Sequence, residues 1–191
     1  MSPGRTTLLA DAPAGRHIGQ LHRGRQSLTQ AVHQFADPGL RAGQSVVLIA
    51  SAFHTALYLG RLREAGLDPG GLHRSGQLVV RDSQELLGGF IRHGMPRWED
   101  FLATVGAHVG SAAGNGRTGM RIYGEMVSDL WRAQNMAACL RLEMYWNDLA
   151  RLHSFSLLCG YDLGDLNDDS YTRALHAIGP VHTDLIETPS A

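Results

Sequence analysis

The sequence predicts an α/β fold, a three-layer sandwich in which helices cover both faces of a mostly parallel sheet. Short apolar segments alternate along the chain with amphipathic segments whose apolar residues recur at helical spacing. Several short segments, above all SVVLIAS at 45–51, are apolar without alternation, which is typical of parallel strands buried on both faces. This alternation of strands and helices favours one sheet between two helical layers.

The predicted elements follow one another through residues 16–187, which we expect to form a single domain. Residues 1–15 are rich in Gly, Pro, Thr and Ala, a composition that predicts a flexible tail. We expect residues 188–191 to form a short C-terminal tail. Apolar runs predict strands at 17–21, 45–51, 77–82, 120–125, 154–162 and 181–187. Helical spacing predicts helices at 27–40 (closed by Pro38 and Gly43), 53–65, 96–109, 127–152 (broken near Gln134–Asn135) and 171–178.

Composition excludes several classes of function. The formal net charge of -1 and the pI near 6.8 give no general attraction to nucleic acid. The sequence has no run of eighteen apolar residues for a membrane span, and its N-terminal apolar patch is too short for a signal peptide. Cys139 and Cys159 lie in apolar surroundings and predict buried thiols in a reducing compartment. We therefore expect a cytoplasmic protein without direct nucleic-acid or membrane partners.

The ten histidines raise the question of a metal site. The sequence has no HxH, HExxH or Cys-x-x-Cys motif, which are the spacings that place metal ligands close together along a chain. Spacing therefore predicts neither a metal site nor a cofactor.

The stretch HIGQLHRGRQSLTQAV (17–32) has the order of a phosphate-binding loop: strand, glycine turn, helix. Such a loop needs GxxxxGK[ST], so that backbone amides surround phosphate and a lysine reaches it. Residues 21–28 keep only Gly24 and have no lysine, and Arg23 or Arg25 is a poor geometric substitute. Three interpretations stay open: a plain connection, a contact for a polar or anionic ligand group, and nucleotide binding.

Carboxylates follow two predicted strands at the end where open α/β sheets bind ligands. Glu125 follows MRIYG, and a buried carboxylate there needs a partner, for which His22 and Arg23 are candidates. Tyr161 and Asp162 end the apolar run of 154–162. Glu125 has either a structural or a ligand-binding role, and Asp162 either lines the same cleft or caps the next segment.

Glu143 and Asn147 lie four residues apart and share one face of a predicted helix that is otherwise largely apolar. This pair faces either a cavity at the sheet or solvent. The sequence has no Ser-His-Asp or Cys-His set at a recognisable spacing, so we expect a protein that is not an enzyme.

Taken in order, these stretches resemble the MEDS domain, the sensory domain of methanogen and methylotroph regulators of the DcmR type. The resemblance covers about residues 15–187 and is carried by HIGQLH, GLRAGQSVVLIAS, GMRIYGEM and LEMYWNDLARLHSFSLLCGYD. Its most specific elements are His17, the Gly-Glu of GEM, the Glu143-x-x-x-Asn147 spacing and the Leu-Cys-x-Tyr-Asp ending.

The resemblance implies a RecA/KaiC-like layout with a degenerate phosphate loop, and a sensor of small hydrocarbon-type ligands or their derivatives. Together with the strand-end argument, it predicts a ligand site formed by His17, His22, Arg23, Glu125, Glu143, Asn147, Tyr161 and Asp162. His22 stands where the family usually has an aromatic residue, which predicts a more polar pocket.

Regulators of the DcmR type carry a helix-turn-helix, for which this chain has no room. We therefore expect its signal to pass through a partner protein, either a kinase or a transcription regulator. We also expect a homodimer, since two-fold pairing is the commonest closed symmetry. Trp131, Met144, Tyr145 and Trp146 spread around the predicted helix 127–152 and make it a candidate dimer surface.

Two rival functions remain open. One is an active nucleotide-binding or ATPase domain of the KaiC type. The other is a structural interaction module whose former pocket is filled by side chains such as Trp98, Phe101, Trp131 and Trp146.

Overall fold

The computed structural model describes residues 3–22, 24–162, 164 and 168–187. Its strands are β1 (His17–His22), β2 (Ser45–Ala50), β3 (Leu78–Asp82), β4 (Ile91–Arg92), β5 (Met95–Pro96), β6 (Met120–Gly124), β7 (Ser156–Asp162) and β8 (Asp184–Glu187). Its α-helices are α1 (Pro3–Asp11), α2 (Arg25–Arg41), α3 (Ala52–Glu64), α4 (Pro69–Arg74), α5 (Ser83–Phe90), α6 (Trp98–Phe101), α7 (Ala107–Ala113), α8 (Met126–Arg132), α9 (Met136–Leu152) and α10 (Asp168–Ile178). A π-helical turn, Leu102–Gly106, joins α6 to α7, and a 3-10 turn, Gly179–Val181, follows α10.

Six strands form one parallel sheet in the order β3-β2-β6-β7-β1-β8, and β4 and β5 form a separate antiparallel pair. Each of the six predicted strands corresponds to one strand of this sheet. Their apolar residues are buried because helices cover both faces, as parallel sheets require. The structure confirms the predicted α/β three-layer fold.

Two apolar cores lie on opposite faces of the sheet. Residues of α1, α2 and α3 pack on one face with Ile18 and Leu158. Residues from α5 to α9 pack on the other face with Leu157 and Cys159. Neighbouring residues of β7 therefore belong to different cores, because successive side chains of a strand point to opposite faces.

The structure places a helix, α1, where the sequence predicts a flexible tail over residues 1–15. Leu9 is 2% exposed and belongs to the core beneath α2. Arg121 of β6 donates hydrogen bonds to the carbonyl oxygens of Leu9 (3.0 Å), Ala10 (2.8 Å) and Phe35 (2.9 Å). A buried guanidinium thus ties α1 to the sheet and to α2, and composition alone gives no sign of this contact.

The helices also differ locally from the prediction. Helix α2 continues through Pro38 to Arg41, and the chain turns at Gly43, whose φ is 76°. The predicted break in 127–152 is confirmed, because Gln134 has a φ of 57° and the Asn135 side chain caps α9 by accepting from the Ala138 N–H. Within the described ranges, no helix has the combined length and apolarity that crossing a bilayer demands.

The aromatic residues proposed as a dimer surface are largely internal. Trp146 is 1% exposed, and the Tyr145 hydroxyl donates to the Pro96 carbonyl oxygen at 3.2 Å. Tyr145 also packs against Trp98, so α9 contacts the sheet on one side and the α6 segment on another. Of the residues named for that surface, Met144 is exposed, at 53%. The spread of apolar residues around α9 therefore reflects packing within the chain.

Candidate functional site

The carboxyl ends of β1, β2, β6 and β7 meet at one edge of the sheet and enclose a small pocket, which we call the edge pocket. It is lined by His22, Leu28, His54, Tyr123, Glu125, Ser128, Arg132, Gly160 and Asp162. Open α/β sheets bind their ligands at this edge, because the chain leaves neighbouring strands there in different directions. The edge pocket is therefore the first candidate site.

Glu125 directly follows β6 and holds the centre of a hydrogen-bond network in the edge pocket. Its Oε1 accepts the backbone N–H of Ser51, and its Oε2 lies 2.6 Å from His54 Nδ1. Burial acts to raise the pKa of Glu125, but the bonds from His54 and Ser51 outweigh it and hold the pKa below its usual value. Glu125 is therefore a buried anion at neutral pH.

His22 and Asp162 are register partners at the ends of β1 and β7. His22 is 4% exposed, and its Nδ1 atom has no hydrogen-bond partner among the residues that the structure describes. Burial lowers the pKa of His22, and this outweighs the opposite effect of Asp162. The ring is therefore neutral at neutral pH and can bond to a ligand.

The free space of the edge pocket is about 20 Å³, enough for about one water molecule. Leu28 and the ring of Tyr123 form its apolar side. The Arg132 side chain is 55% exposed at the rim and pairs with Asp129. A larger ligand therefore requires rim side chains to move.

Strand β1 reaches the edge pocket through a turn at Gly24, whose φ of 88° suits glycine, and α2 begins at the next residue. The strand, turn and helix of a phosphate loop are thus present without its lysine. The described lining instead holds two carboxylates and two histidines.

A second group of polar side chains lies on the opposite face of the same strands, β1 and β7. His17 and His22 are five residues apart, so they point to opposite faces of the sheet. Cys159 and Tyr161 lie on the face covered by α9, whereas Gly160 and Asp162 line the edge pocket. We call this second group, formed by His17, Glu143, Asn147, Cys159, Tyr161 and His182, the buried cluster.

Glu143 of α9 is the centre of the buried cluster and is 0% exposed. Its Oε2 lies 3.1 Å from His17 Nε2, and its Oε1 lies 3.2 Å from His182 Nε2. Tyr161 donates its hydroxyl to Oε1, and the Cys159 thiol lies 3.5 Å from Oε2. Burial acts to raise the pKa of Glu143, but the two histidines outweigh it and hold that pKa well below its usual range.

The same contacts change the pKa values of the neighbouring groups. Burial lowers the pKa of His182, but Glu143 outweighs burial and the net shift is upward. Burial, reinforced by the Glu143 charge, raises the pKa values of the Cys159 thiol and the Tyr161 hydroxyl. The thiol and the hydroxyl therefore both carry their protons in this environment.

In both imidazoles of the buried cluster, Nδ1 forms a hydrogen bond with an amide or carbonyl oxygen. His17 Nδ1 lies 2.9 Å from Asn147 Oδ1, and Asn147 fixes its own orientation by donating Nδ2 to the Val181 carbonyl oxygen at 3.0 Å. His182 Nδ1 lies 2.7 Å from the Ile178 carbonyl oxygen. Because carbonyl and amide oxygens accept, each Nδ1 carries the hydrogen and each Nε2 points into the cluster.

The structure divides the residues that the sequence predicts for one ligand site. His22, Glu125 and Asp162 come together in the edge pocket. His17, Glu143, Asn147 and Tyr161 come together in the buried cluster, on the other face of the sheet. Arg23 lies outside the described residues. Strand alternation is the physical reason, and it was readable from the spacing of His17 and His22.

Sequence reasoning missed several residues of both groups. Ser51 and His54 directly follow β2, so the rule that ligands bind at strand ends could have identified them. Short metal-binding motifs could not reveal the buried cluster, because His17, Glu143, Cys159 and His182 come from four separate segments of the chain. No local pattern in the sequence connects His182 to His17. Both cysteines are buried and free, as predicted.

Residues 16–177 match the family described as MEDS, the methanogen/methylotroph, DcmR sensory domain. No curated protein matches the chain. Among solved structures, the chain is similar to the flagellar accessory protein FlaH of Methanocaldococcus jannaschii, a RecA-like protein, with a TM-score of 0.60 and 13% identity. The likeness covers 93% of this chain and 72% of that one, and at this identity it supports the fold alone.

Proposed function

Since the chain belongs to the MEDS family of sensory domains, we propose that it binds a small molecule in the edge pocket and signals that binding without catalysing a reaction. The observation that carries this proposal is the set of groups at the strand ends. At the strand ends where a phosphate-loop protein binds phosphates with a lysine, this chain has Glu125, His54, His22 and Asp162.

These groups disfavour a polyphosphate. Glu125 is buried and ionised at neutral pH, and Asp162 adds a second carboxylate to the lining at the end of the neighbouring strand β7. Like charges repel strongly where water does not screen them. The described cation of the lining, Arg132, lies at the exposed rim and already pairs with Asp129.

The chemistry of the edge pocket favours a short hydrocarbon with one hydrogen-bonding group, which enters when the rim side chains move. Leu28 and the Tyr123 ring supply an apolar wall, and His22 Nδ1 and the two carboxylates supply polar contacts opposite it. Small-molecule sites commonly combine apolar walls with a few placed polar groups. Short-chain alcohols and amines are the compounds that we expect to bind.

Thermal-shift and calorimetric titrations with a series of short-chain alcohols and amines test this proposal. We expect a saturable response in the wild-type chain that Glu125→Gln weakens by at least tenfold, because the variant loses the charge that positions His54. Glu64→Gln is the matched control, since Glu64 has a side-chain exposure of 67% on α3. A response that survives in Glu125→Gln would place the ligand elsewhere, and no response to any compound would favour the structural-module alternative.

A nucleotide-binding domain is the chief rival, favoured by the strand, Gly24 turn and helix of the loop. Calorimetry with ATP and ADP in the presence of Mg²⁺ separates the two functions. We expect no saturable heat, because the loop has no lysine and the pocket is acidic. Clear saturable binding of ATP would replace the sensing proposal with the rival.

We also propose that this protein acts in the cytoplasm as a homodimer that passes its signal to a kinase or transcription regulator. Light scattering at rising protein concentration, with and without a compound that binds, tests the assembly. A strict monomer at every concentration would contradict the dimer.

A further inference from the structure

The buried cluster has the geometry of a metal site. His17, Glu143, Cys159 and His182 each offer one ligand atom, and these atoms all lie within 4.8 Å of one another. A tetrahedral zinc ion with ordinary bond lengths separates its ligand atoms by about 3.3–3.8 Å. Three separations, which involve the single carboxylate oxygen Oε2 of Glu143, already fall near that range: His17 Nε2 to Cys159 Sγ is 3.4 Å, Cys159 Sγ to Glu143 Oε2 is 3.5 Å, and His17 Nε2 to Glu143 Oε2 is 3.1 Å.

The surrounding contacts orient three of the four ligands, the two histidines and the carboxylate. Asn147 and the Ile178 carbonyl oxygen hold the Nδ1 hydrogens of the two histidines, which leaves each Nε2 lone pair directed into the cluster. Tyr161 donates its hydroxyl to the Glu143 carboxylate. In protein metal sites, oxygen atoms commonly accept the free N–H of each ligand histidine, and donors commonly bond to the ligand carboxylate. These hydrogen bonds orient the ligands toward the ion.

The contacts inside the cluster also call for a cation. With each histidine protonated at Nδ1, the Nε2 lone pair of each ring faces a Glu143 carboxylate oxygen at 3.1–3.2 Å. Each lone pair then repels the negatively charged oxygen that it faces. His182 Nε2 is buried, and it lies close to Glu143 without forming an aligned hydrogen bond with any described residue. Either a proton on one imidazole or a metal ion at the common centre relieves this repulsion. A proton on one imidazole satisfies only that ring, whereas a metal ion satisfies all four ligand atoms at once.

We propose that His17, Glu143, Cys159 and His182 bind one zinc-class divalent ion in a closed, four-coordinate site that joins β1, β7, α9 and the segment before β8. Two imidazoles, a thiolate and a carboxylate suit zinc and its neighbours and do not suit Mg²⁺ or Ca²⁺, which prefer oxygen ligands alone. On binding, the Cys159 sulfur forms the metal bond and its thiol proton passes to solvent. All four coordination positions are taken by protein, which is the pattern of a structural site.

The full chain, purified under reducing conditions and freed of metal with a chelator, is titrated with Co²⁺ and Zn²⁺. We expect one ion per chain, a cobalt spectrum with a thiolate charge-transfer band and tetrahedral d–d bands, release of a proton, and a higher melting temperature with Zn²⁺. These measurements use the wild-type chain, so they do not depend on whether any variant folds. A wild-type chain that binds neither ion and shows no change in melting temperature overturns the proposal and leaves the imidazolium as the balancing charge.

Single substitutions test which residues bind the ion. Cys159→Ser is expected to abolish the thiolate band, and His182→Gln to weaken binding at least a hundredfold. Cys139→Ser is the matched control, since Cys139 is also buried beside Tyr161 but lies outside the four-ligand set. Asn147→Ala keeps every ligand and is expected to weaken binding by about tenfold to a hundredfold. A thiolate band that persists in Cys159→Ser, or disappears in Cys139→Ser, overturns the assignment of ligands.

Discussion

The edge pocket and the buried cluster use the same two strands, β1 and β7, on opposite faces of the sheet, and they differ in how many side chains surround the central carboxylate. In the buried cluster, Glu143 is fully enclosed and contacts four side chains. In the edge pocket, Glu125 has two partners, His54 and the Ser51 backbone, and His22 keeps an unpaired ring nitrogen among the described residues.

The difference follows from where each group lies along the strands. His17 begins β1 and Cys159 lies in the middle of β7, where α9 covers the sheet and excludes water. His22 and Asp162 end the same strands, where the chain leaves the sheet and residues of α2, α3 and α8 line a small pocket. The first position suits a site that stabilises the fold, and the second suits a site that changes when a ligand enters.

Replacing the two central glutamates should separate the roles most strongly. We expect Glu143→Ala to lower the free energy of unfolding by about 3–5 kcal/mol, because it leaves buried polar partners unpaired. Glu125→Ala should cost only about 1–3 kcal/mol, because its partners lie near solvent and can bond to water. Urea unfolding of both variants measures the difference.

Glu64→Gln, on the exposed surface of α3, serves as the control and should leave the unfolding free energy within about 0.5 kcal/mol of the wild-type value. If Glu125→Ala proves the more damaging variant, the edge pocket is the structural site and the contrast between the two regions is reversed.

Two buried tyrosines on opposite faces of the sheet provide the next comparison. The Tyr161 hydroxyl donates to the Glu143 carboxylate, whereas the Tyr58 hydroxyl pairs with the neutral hydroxyl of Tyr123 at 3.1 Å. We expect Tyr161→Phe to cost about 1.5–3 kcal/mol and Tyr58→Phe about 0.5–1.5 kcal/mol, because hydrogen bonds to charged groups contribute more. Equal losses in urea unfolding would show that the Glu143 charge does not strengthen its bond.

The fold could be predicted from the sequence because strand apolarity and helical spacing are local patterns, and all six strands of the parallel sheet were found this way. The sequence also identified the end of the sheet at which Glu125 and Asp162 meet. Strand order alone predicts His17 and Tyr161 in the same pocket as Glu125, because strand order does not distinguish the two faces to which successive side chains point.

Other features depend on tertiary contacts that leave no local pattern. His182 contacts His17 across 165 residues of chain, and no motif in the sequence links the two histidines. Helix α1 is held by Arg121, a residue in the middle of an apolar strand, and no local pattern connects Arg121 with Leu9. Such pairings are decided by packing, so a single sequence does not reveal them.

Filling the edge pocket should sharpen the contrast without affecting the buried cluster. A Cβ at Gly160 would lie 3.0 Å from Leu28 Cδ1 and 3.1 Å from the Tyr123 hydroxyl oxygen, inside the pocket lining. We expect Gly160→Ala to weaken ligand binding at least tenfold and to cost about 1 kcal/mol of stability through this tight packing. Calorimetry and urea unfolding measure the two effects.

Gly60→Ala is the control for the glycine substitution, because a Cβ there meets no atom within 4 Å on α3. It should raise stability by about 0.5–1 kcal/mol and leave ligand affinity unchanged, since alanine is the better helix former. Unchanged ligand binding in Gly160→Ala would contradict the position of the ligand in the edge pocket.

The smallest expected effect is a pH dependence of stability that comes from His22. Its folded pKa lies below the ordinary value because of burial, with Asp162, the Gly24 backbone and Glu125 opposing the shift and His54 acting in the same direction as burial. The unfolded chain therefore binds more protons in the window between the folded pKa and about 6.5, the ordinary value. Stability from His22 is fully present above that window and is lost as the pH falls through it. We expect urea unfolding to show this loss in the wild-type chain and in His176→Gln, an exposed control on α10, and to show a smaller loss in His22→Gln. If His22→Gln loses as much stability on acidification as the wild-type chain, the neutral His22 of the edge pocket is ruled out, and with it the hydrogen-bonding role proposed for its free ring nitrogen.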